Sequence, residues 1–187
     1  MILILTGAVQ SGKSRFLGSL LAGLDRDRTP LSGFLSPAVY EDGRLVGYDL
    51  TVIGGGPPAA YIRKEGQAGW ERVGPYFFVP EALETARRTI LESGPLDLLV
   101  VDEVGPLELV GGGLWRPLES ILADPGRRCL LVVRASCLEA LTGKLAGRPF
   151  QVFPVDEPST RAALLFEISR DARQAGAAAA PRLNSGG

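Results

Sequence analysis

Two short stretches hold residues whose types and spacing can do chemistry. The first, Gly7-Ala8-Val9-Gln10-Ser11-Gly12-Lys13-Ser14, fits G-x-x-x-x-G-K-[ST]. Glycines let such a loop curl until successive backbone amides face one anion-sized hollow, and a following helix adds the positive end of its dipole. Lys13 then reaches the β- and γ-phosphates of a nucleoside triphosphate and the Ser14 hydroxyl ligates Mg²⁺, with Arg15 next in line. The second stretch, Leu98-Leu99-Val100-Val101-Asp102-Glu103, is an apolar run that delivers two carboxylates at its end. Alternation along an extended chain points the two in different directions. One, Asp102, is assigned to the metal and the other, Glu103, to the attacking water as general base or positioner.

Composition narrows the choice by exclusion. The 187 residues contain no histidine, which removes Ser-His-Asp and Cys-His nucleophilic catalysis and the commoner zinc sites and leaves proton chemistry to carboxylates. Lys13, Lys64 and Lys144 are the only lysines, and one of them lies in the glycine loop. A net charge of −1 gives no electrostatic footprint for nucleic acid or an anionic membrane. No apolar run approaches the length of a membrane span, and the opening MILILTGAV lacks a signal-peptide pattern, so a cytoplasmic protein is expected, and a monomer. Cys129 and Cys137 fit reduced thiols.

The elements that must position these groups are readable from periodicity. Met1 to Thr6 reads as a buried strand entering the loop, and Lys13 to Leu24 as a helix with Phe16, Leu17, Leu20, Leu21 and Leu24 on one face. Extended segments from Leu31 to Ile53 surround Asp42-Gly43, a hairpin signal. Further extended pieces are expected over 59–63 and 76–79, and a helix from Pro80 to Leu91. Strands follow at 98–101 and 130–133, a helix at 114–123, a capping box of Ser136 and Glu139, a strand at 150–155 and a helix at 158–174. This alternation predicts one α/β domain over 1–174, a mainly parallel sheet with helices on both faces and a β-hairpin insertion. The small-residue tail 175–187 is expected to be mobile.

Other residues carry weaker signals. Arg15, Arg72 and Arg134 are candidates for a cation beside the transferred phosphate, Arg134 directly following an apolar strand. Glu108 can orient backbone or touch substrate, and Tyr48, Tyr76 and Phe77 can stack on a base or fill the core. Trp70 and Trp115 are expected to pack. Asp102-Glu103-Val104-Gly105 also fits D-x-x-G, which keeps a nucleotide-dependent switch open, although no N-K-x-D for guanine is present. A nucleotide or small-metabolite kinase, with the hairpin as acceptor site or lid, is the other alternative to hydrolysis.

With these motifs in place the chain resembles the THEP-type nucleoside-triphosphatase family, over about residues 1 to 170. Gly33-Phe34-Leu35-Ser36-Pro37-Ala38-Val39, Gly43-Arg44 and Gly47-Tyr48-Asp49 are similar to its hairpin segment. Arg72-Val73-Gly74-Pro75-Tyr76 with Leu83-Glu84, and Asp102-Glu103-Val104-Gly105-Pro106-Leu107-Glu108-Leu109, are similar to its later blocks. The resemblance implies a RecA-like P-loop fold and Mg²⁺-dependent hydrolysis of nucleoside triphosphates, ATP and GTP among them, with loose base preference. Three positions depart from the family pattern: Pro75 and Pro106 where lysine is frequent, and Ala38 where glutamate is frequent.

Overall fold

The computed structural model describes residues 1–145 and 147–179. Strand β1 (Ile2–Gly7) runs through the glycine loop into helix α1 (Lys13–Ala22). Strands β2 (Leu31–Leu35), β3 (Ala38–Glu41), β4 (Arg44–Val52), β5 (Ala59–Arg63), β6 (Arg72–Val73) and β7 (Tyr76–Phe78) lead to helix α2 (Pro80–Leu91). Strand β8 (Leu98–Val104), the one-turn α3 (Pro106–Leu109), helix α4 (Trp115–Ala123) and strand β9 (Arg128–Arg134) come next. A 3-10 turn over Ala135–Cys137, helix α5 (Leu138–Lys144), strand β10 (Phe150–Pro154) and helix α6 (Thr160–Ala179) complete the order.

Alternation inside β1 explains the layering. Ile2 and Ile4 enter one core with α2, α4 and α5, while Leu3 and Leu5 enter the other with α1 and α6. Strands β8 and β9 divide the same way, Leu99 and Val101 against Leu98 and Val100, so an unbroken apolar run is what a strand covered on both faces requires. Each fully buried side chain of this kind contributes roughly 1.5–3 kcal/mol. Helix α1 ends at Gly23, whose N–H bonds back to the Leu20 carbonyl, while the Leu24 N–H bonds to that of Leu21. Helix α2 opens on Pro80, where no amide is needed, and buries Ala82, Leu83, Ala86 and Ile90 as one stripe. An ion pair from the buried Arg128 to the half-buried Asp171, 2.5 Å, ties α6 to the sheet.

The sheet order is β10-β1-β9-β8-β2-β4-β5-β7-β6, with β3 paired to β4. From β10 to β2 every pairing is parallel, and from β2 onward every pairing is antiparallel. This is the RecA-like arrangement, with β9 between the loop strand β1 and the acid strand β8. The hairpin forms at Asp42-Gly43, whose φ of 48° and 73° suit a tight primed turn. It is only part of an antiparallel wing that continues the main sheet through Phe34↔Val52 and Leu35↔Thr51.

The expected capping box does not form, because a 3-10 turn takes Ala135–Cys137 and α5 starts at Leu138 with Cys137 at its cap. The Ser136 hydroxyl lies 3.9 Å from the Cys137 sulfur instead. Helix α6 extends to Ala179, beyond the expected end at Gln174, and the rest of the tail lies outside the described residues. No helix of the described residues is long and apolar enough to cross a membrane.

Candidate active site

Every group singled out in the two motifs sits at the carboxyl edge of the parallel strands, where open α/β sheets gather ligands. Gly7 closes β1, and beside it Gln10 and Gly12 take φ of 61° and 84°. Left-handed residues in such a turn bend the backbone into an amide-lined hollow. Helix α1 starts immediately after with no acid in its first turn, so its positive end stays free for an anion. A side chain at Gly7 would come within 2.7 Å of the Ser11 hydroxyl and 2.6 Å of Val155, which explains that glycine on packing grounds.

Lys13 is only 5% exposed. Its ammonium donates to the carbonyls of Ala8 at 2.8 Å and Gly7 at 3.3 Å and lies 3.7 Å from Glu103 Oε2. The charge is thus folded over its own loop and faces the acid strand.

Asp102 and Glu103 part as alternation demands. Asp102, 1% exposed, turns toward β2 and accepts the Ser36 amide at 3.1 Å, with the Ser14 side chain nearby. Burial pushes its carboxyl up to about 6, and Glu103 adds to the rise, while the Ser36 and Ser14 hydrogen bonds and the Lys13 charge oppose it. Glu103 turns toward β9, where Arg134 Nε donates to its Oε1. The β8–β9 register passes from Asp102↔Val132 to Val104↔Val133 and so skips Glu103. A bulge of this kind re-aims one side chain at a strand end.

Among the arginines the structure brings one to the centre. Arg134 pairs with Gly7 across β9–β1 and reaches Glu103, so it bridges the loop strand and the acid strand. Arg15 is exposed beside the loop. Arg72 is exposed too, with its Nε on the Gly74 carbonyl at 2.9 Å and its guanidinium 5.8 Å from the Phe77 ring. Glu108 orients backbone: it is 3% exposed and accepts the amides of Gly105 at 2.9 Å and Leu114 at 3.3 Å. Burial raises its carboxyl, and these hydrogen bonds hold it down in part. Trp115 is buried under Lys144, as a packing residue should be, and Trp70 is half-buried.

Two clefts open from this edge. One, of about 470 Å³, runs along Val9 to Arg15 with Pro37, Ala38 and Tyr40. The other, of about 450 Å³, is enclosed by the antiparallel wing and the α3 turn, including Tyr61, Tyr76, Phe78 and Glu108. Both include Ser14, Tyr48, Glu103 and Arg134. Pro75 and Pro106 line the second cleft and Ala38 the first, so all three departures from the family pattern fall on cleft walls. Sequence reasoning gave no role to Ser36 or Tyr61. A serine followed by proline at a strand end hints at Ser36, but its partner on β8 follows only from strand order.

Similarity to known proteins agrees with this geometry. The sequence profile of a family described as NTPase matches residues 2–169. "Nucleoside-triphosphatase THEP1" of Hyperthermus butylicus is 34% identical over 70% of this chain and 69% of its own length. The protein of the same name from Metallosphaera sedula is 30% identical over 90% of this chain and 87% of its own. The solution structure of a human cancer-related nucleoside triphosphatase shares the fold at a TM-score of 0.66 and 23% identity, covering 90% of this chain and 95% of that one.

Proposed function

The chain belongs to the NTPase family of nucleoside-triphosphatases, and on that footing we propose that its loop and acid pair cleave the terminal phosphate of a nucleoside triphosphate by attack of water, with Mg²⁺ bound. The observation that carries this reading is the position of Glu103, with one carboxylate oxygen 3.7 Å from Lys13 and the other on Arg134. A carboxylate there stands beside the place where the loop would end a triphosphate. It takes the proton of the attacking water as the new O–P bond forms and the bond to the diphosphate breaks. The loop amides, Lys13 and Arg134 meet the charge that builds on the departing and transferred oxygens, so positioning and electrostatics supply most of the catalysis.

The donors present fit Mg²⁺. Asp102 is a buried carboxylate beside the Ser14 side chain, so a carboxylate and a hydroxyl oxygen stand together where the loop ends. Mg²⁺ is bound by one or two carboxylates, substrate phosphates and retained waters, rather than by an all-protein cage. Among the described residues no group of three or more His, Cys, Asp or Glu could form such a cage. The ion, when bound, neutralises charge on the β- and γ-phosphate oxygens. Loose base preference is supported by the first cleft, where Val9, Pro37 and the exposed Tyr40 offer apolar and aromatic faces. Such faces stack on any base without reading its edge.

The test is phosphate release from ATP, GTP, CTP and UTP, with Mg²⁺ or with a chelator, by the wild type, Lys13→Ala and Glu103→Gln. Similar rates across the four triphosphates, loss on chelation and a fall in kcat of about 100-fold or more in Glu103→Gln are expected. Wild-type turnover in Glu103→Gln overturns the assignment of the base.

A further inference from the structure

Hydrolysis needs room for one water, yet a cleft of about 450 Å³ adjoins Glu103 on the side away from the loop. Apart from Ser14 no residue of the glycine loop borders it. A triphosphate cradled by the loop amides ends its γ-phosphate at Lys13, Ser14 and Glu103, the reading on which this inference rests. The second cleft then opens onto the γ-phosphorus, while the nucleotide's own base belongs with the first cleft.

The lining of that cleft is built for an organic molecule. Tyr48, Tyr61, Tyr76, Phe78, Pro75 and Pro106 make its walls aromatic and apolar. The Tyr48 and Tyr76 rings stand edge-on with centroids 6.0 Å apart. Tyr61 is 2% exposed and lines the cleft. The size falls within the range of small-molecule sites, which combine apolar walls with few polar groups.

The charge of the lining selects against an anion. Asp102, Glu103 and Glu108 border the cleft, and the facing cations are Arg134, already paired with Glu103, and the exposed Arg72. No lysine borders it.

We propose that the second cleft binds a neutral heteroaromatic alcohol of nucleoside size and presents its hydroxyl to the γ-phosphate, so that the enzyme transfers the phosphoryl group as well as releasing it. The alcohol oxygen forms the new bond to the γ-phosphorus as the bond to the bridging oxygen breaks and the diphosphate leaves. The hydroxyl proton passes to Glu103. This places the acceptor against β4, β5 and the β6–β7 turn, not at the tip of the Asp42-Gly43 hairpin.

The full chain is incubated with Mg²⁺ and γ-labelled ATP and, in turn, adenosine, guanosine, cytidine, uridine, thymidine and pyridoxine, reading free phosphate and phosphorylated alcohol together. At least one alcohol is expected to be phosphorylated. The ratio of transferred to released phosphate is expected to fall tenfold or more in Tyr76→Ala and in Val110→Trp, which narrows the mouth from an exposed position should the first variant not fold. Phosphate release with no alcohol phosphorylated overturns the acceptor site and leaves the hydrolase reading standing, whereas neither product overturns both. An unchanged ratio in both variants also overturns the site. If Tyr76→Ala instead raises KM for ATP at constant ratio, the cleft holds the nucleotide base and the proposal fails.

Discussion

At Asp102 the demands of folding and of the proposed metal site pull apart. A carboxyl raised from 3.8 to about 6 by burial binds its proton more tightly in the folded chain than in the unfolded one. Its contribution to stability is therefore full below the unfolded value and is lost as pH rises through about 6. At neutral pH the ionised group costs the ligand-free protein roughly 3 kcal/mol, since each tenfold difference in proton affinity between the folded and unfolded chain is worth about 1.4 kcal/mol. Asp102→Asn keeps an acceptor for the Ser36 amide and removes the charge. Without Mg²⁺ and nucleotide, the variant is expected to melt several degrees above the wild type at pH 8, with the gap closing toward pH 5, while hydrolysis is lost. Thermal denaturation across that range checks it, and a gap independent of pH would sink the idea. Asp102 and Glu103, like Lys13 and Ser14, were readable because their motifs bring chemistry and spacing into one stretch of chain. Arg134 was readable only as an arginine after an apolar strand; its hold on Glu103 depends on β9 lying between β1 and β8.

Among the elements, β2 sets the geometry of the acid pair from the side opposite β9. Gly33 lies in β2 at φ 103°, opposite Val100 of β8, and a Cβ there would come 1.9 Å from the Val100 carbonyl oxygen. Gly33→Ala must push β2 off β8 and adopt a backbone conformation hostile to alanine, which together cost about 3 kcal/mol or more. The same shift draws the Ser36 amide away from Asp102, so hydrolysis per folded molecule is expected to fall as well. Gly43→Ala is the control: its φ of 73° is similarly unfavourable but its Cβ meets open space, so it costs only about 1–2 kcal/mol and spares activity. Urea denaturation with activity assays separates the two, and equal losses would clear β2 of any special hold on the acid pair. Strands and helices with a plain apolar pattern, β1, α1 and β8 among them, were visible in the sequence because one face or both must be apolar, and α2 was visible from the proline that opens it. The two-residue β6 and one-turn α3 carry no period and were not. The hairpin was read from Asp42-Gly43, but its continuation through β5, β7 and β6 into the main sheet rests on pairings that no local pattern encodes.

In the whole molecule, the charges of the site are paired with one another. Lys13 is occupied by the Ala8 and Gly7 carbonyls and Glu103, and Glu103 by Arg134. A triphosphate bound at the loop as proposed must exchange these contacts for its own, and the gain is expected as stability of the entire domain because loop, β8 and β9 are neighbours in one sheet. At a hundred times its Kd, a ligand that binds only the folded state adds about 2.7 kcal/mol. A chain of this size gains about 2–4 °C per kcal/mol, so MgATP is expected to raise Tm by roughly 5–10 °C. Lys13→Ala, which keeps the amide hollow but removes its cation, is expected to lose most of that rise at the same ligand concentration. Glu103→Gln is expected to keep it, since freeing Lys13 from a competing carboxylate favours the phosphate. The three proteins melted with and without MgATP decide the matter: a shift in Lys13→Ala equal to that of the wild type would place the triphosphate away from the loop.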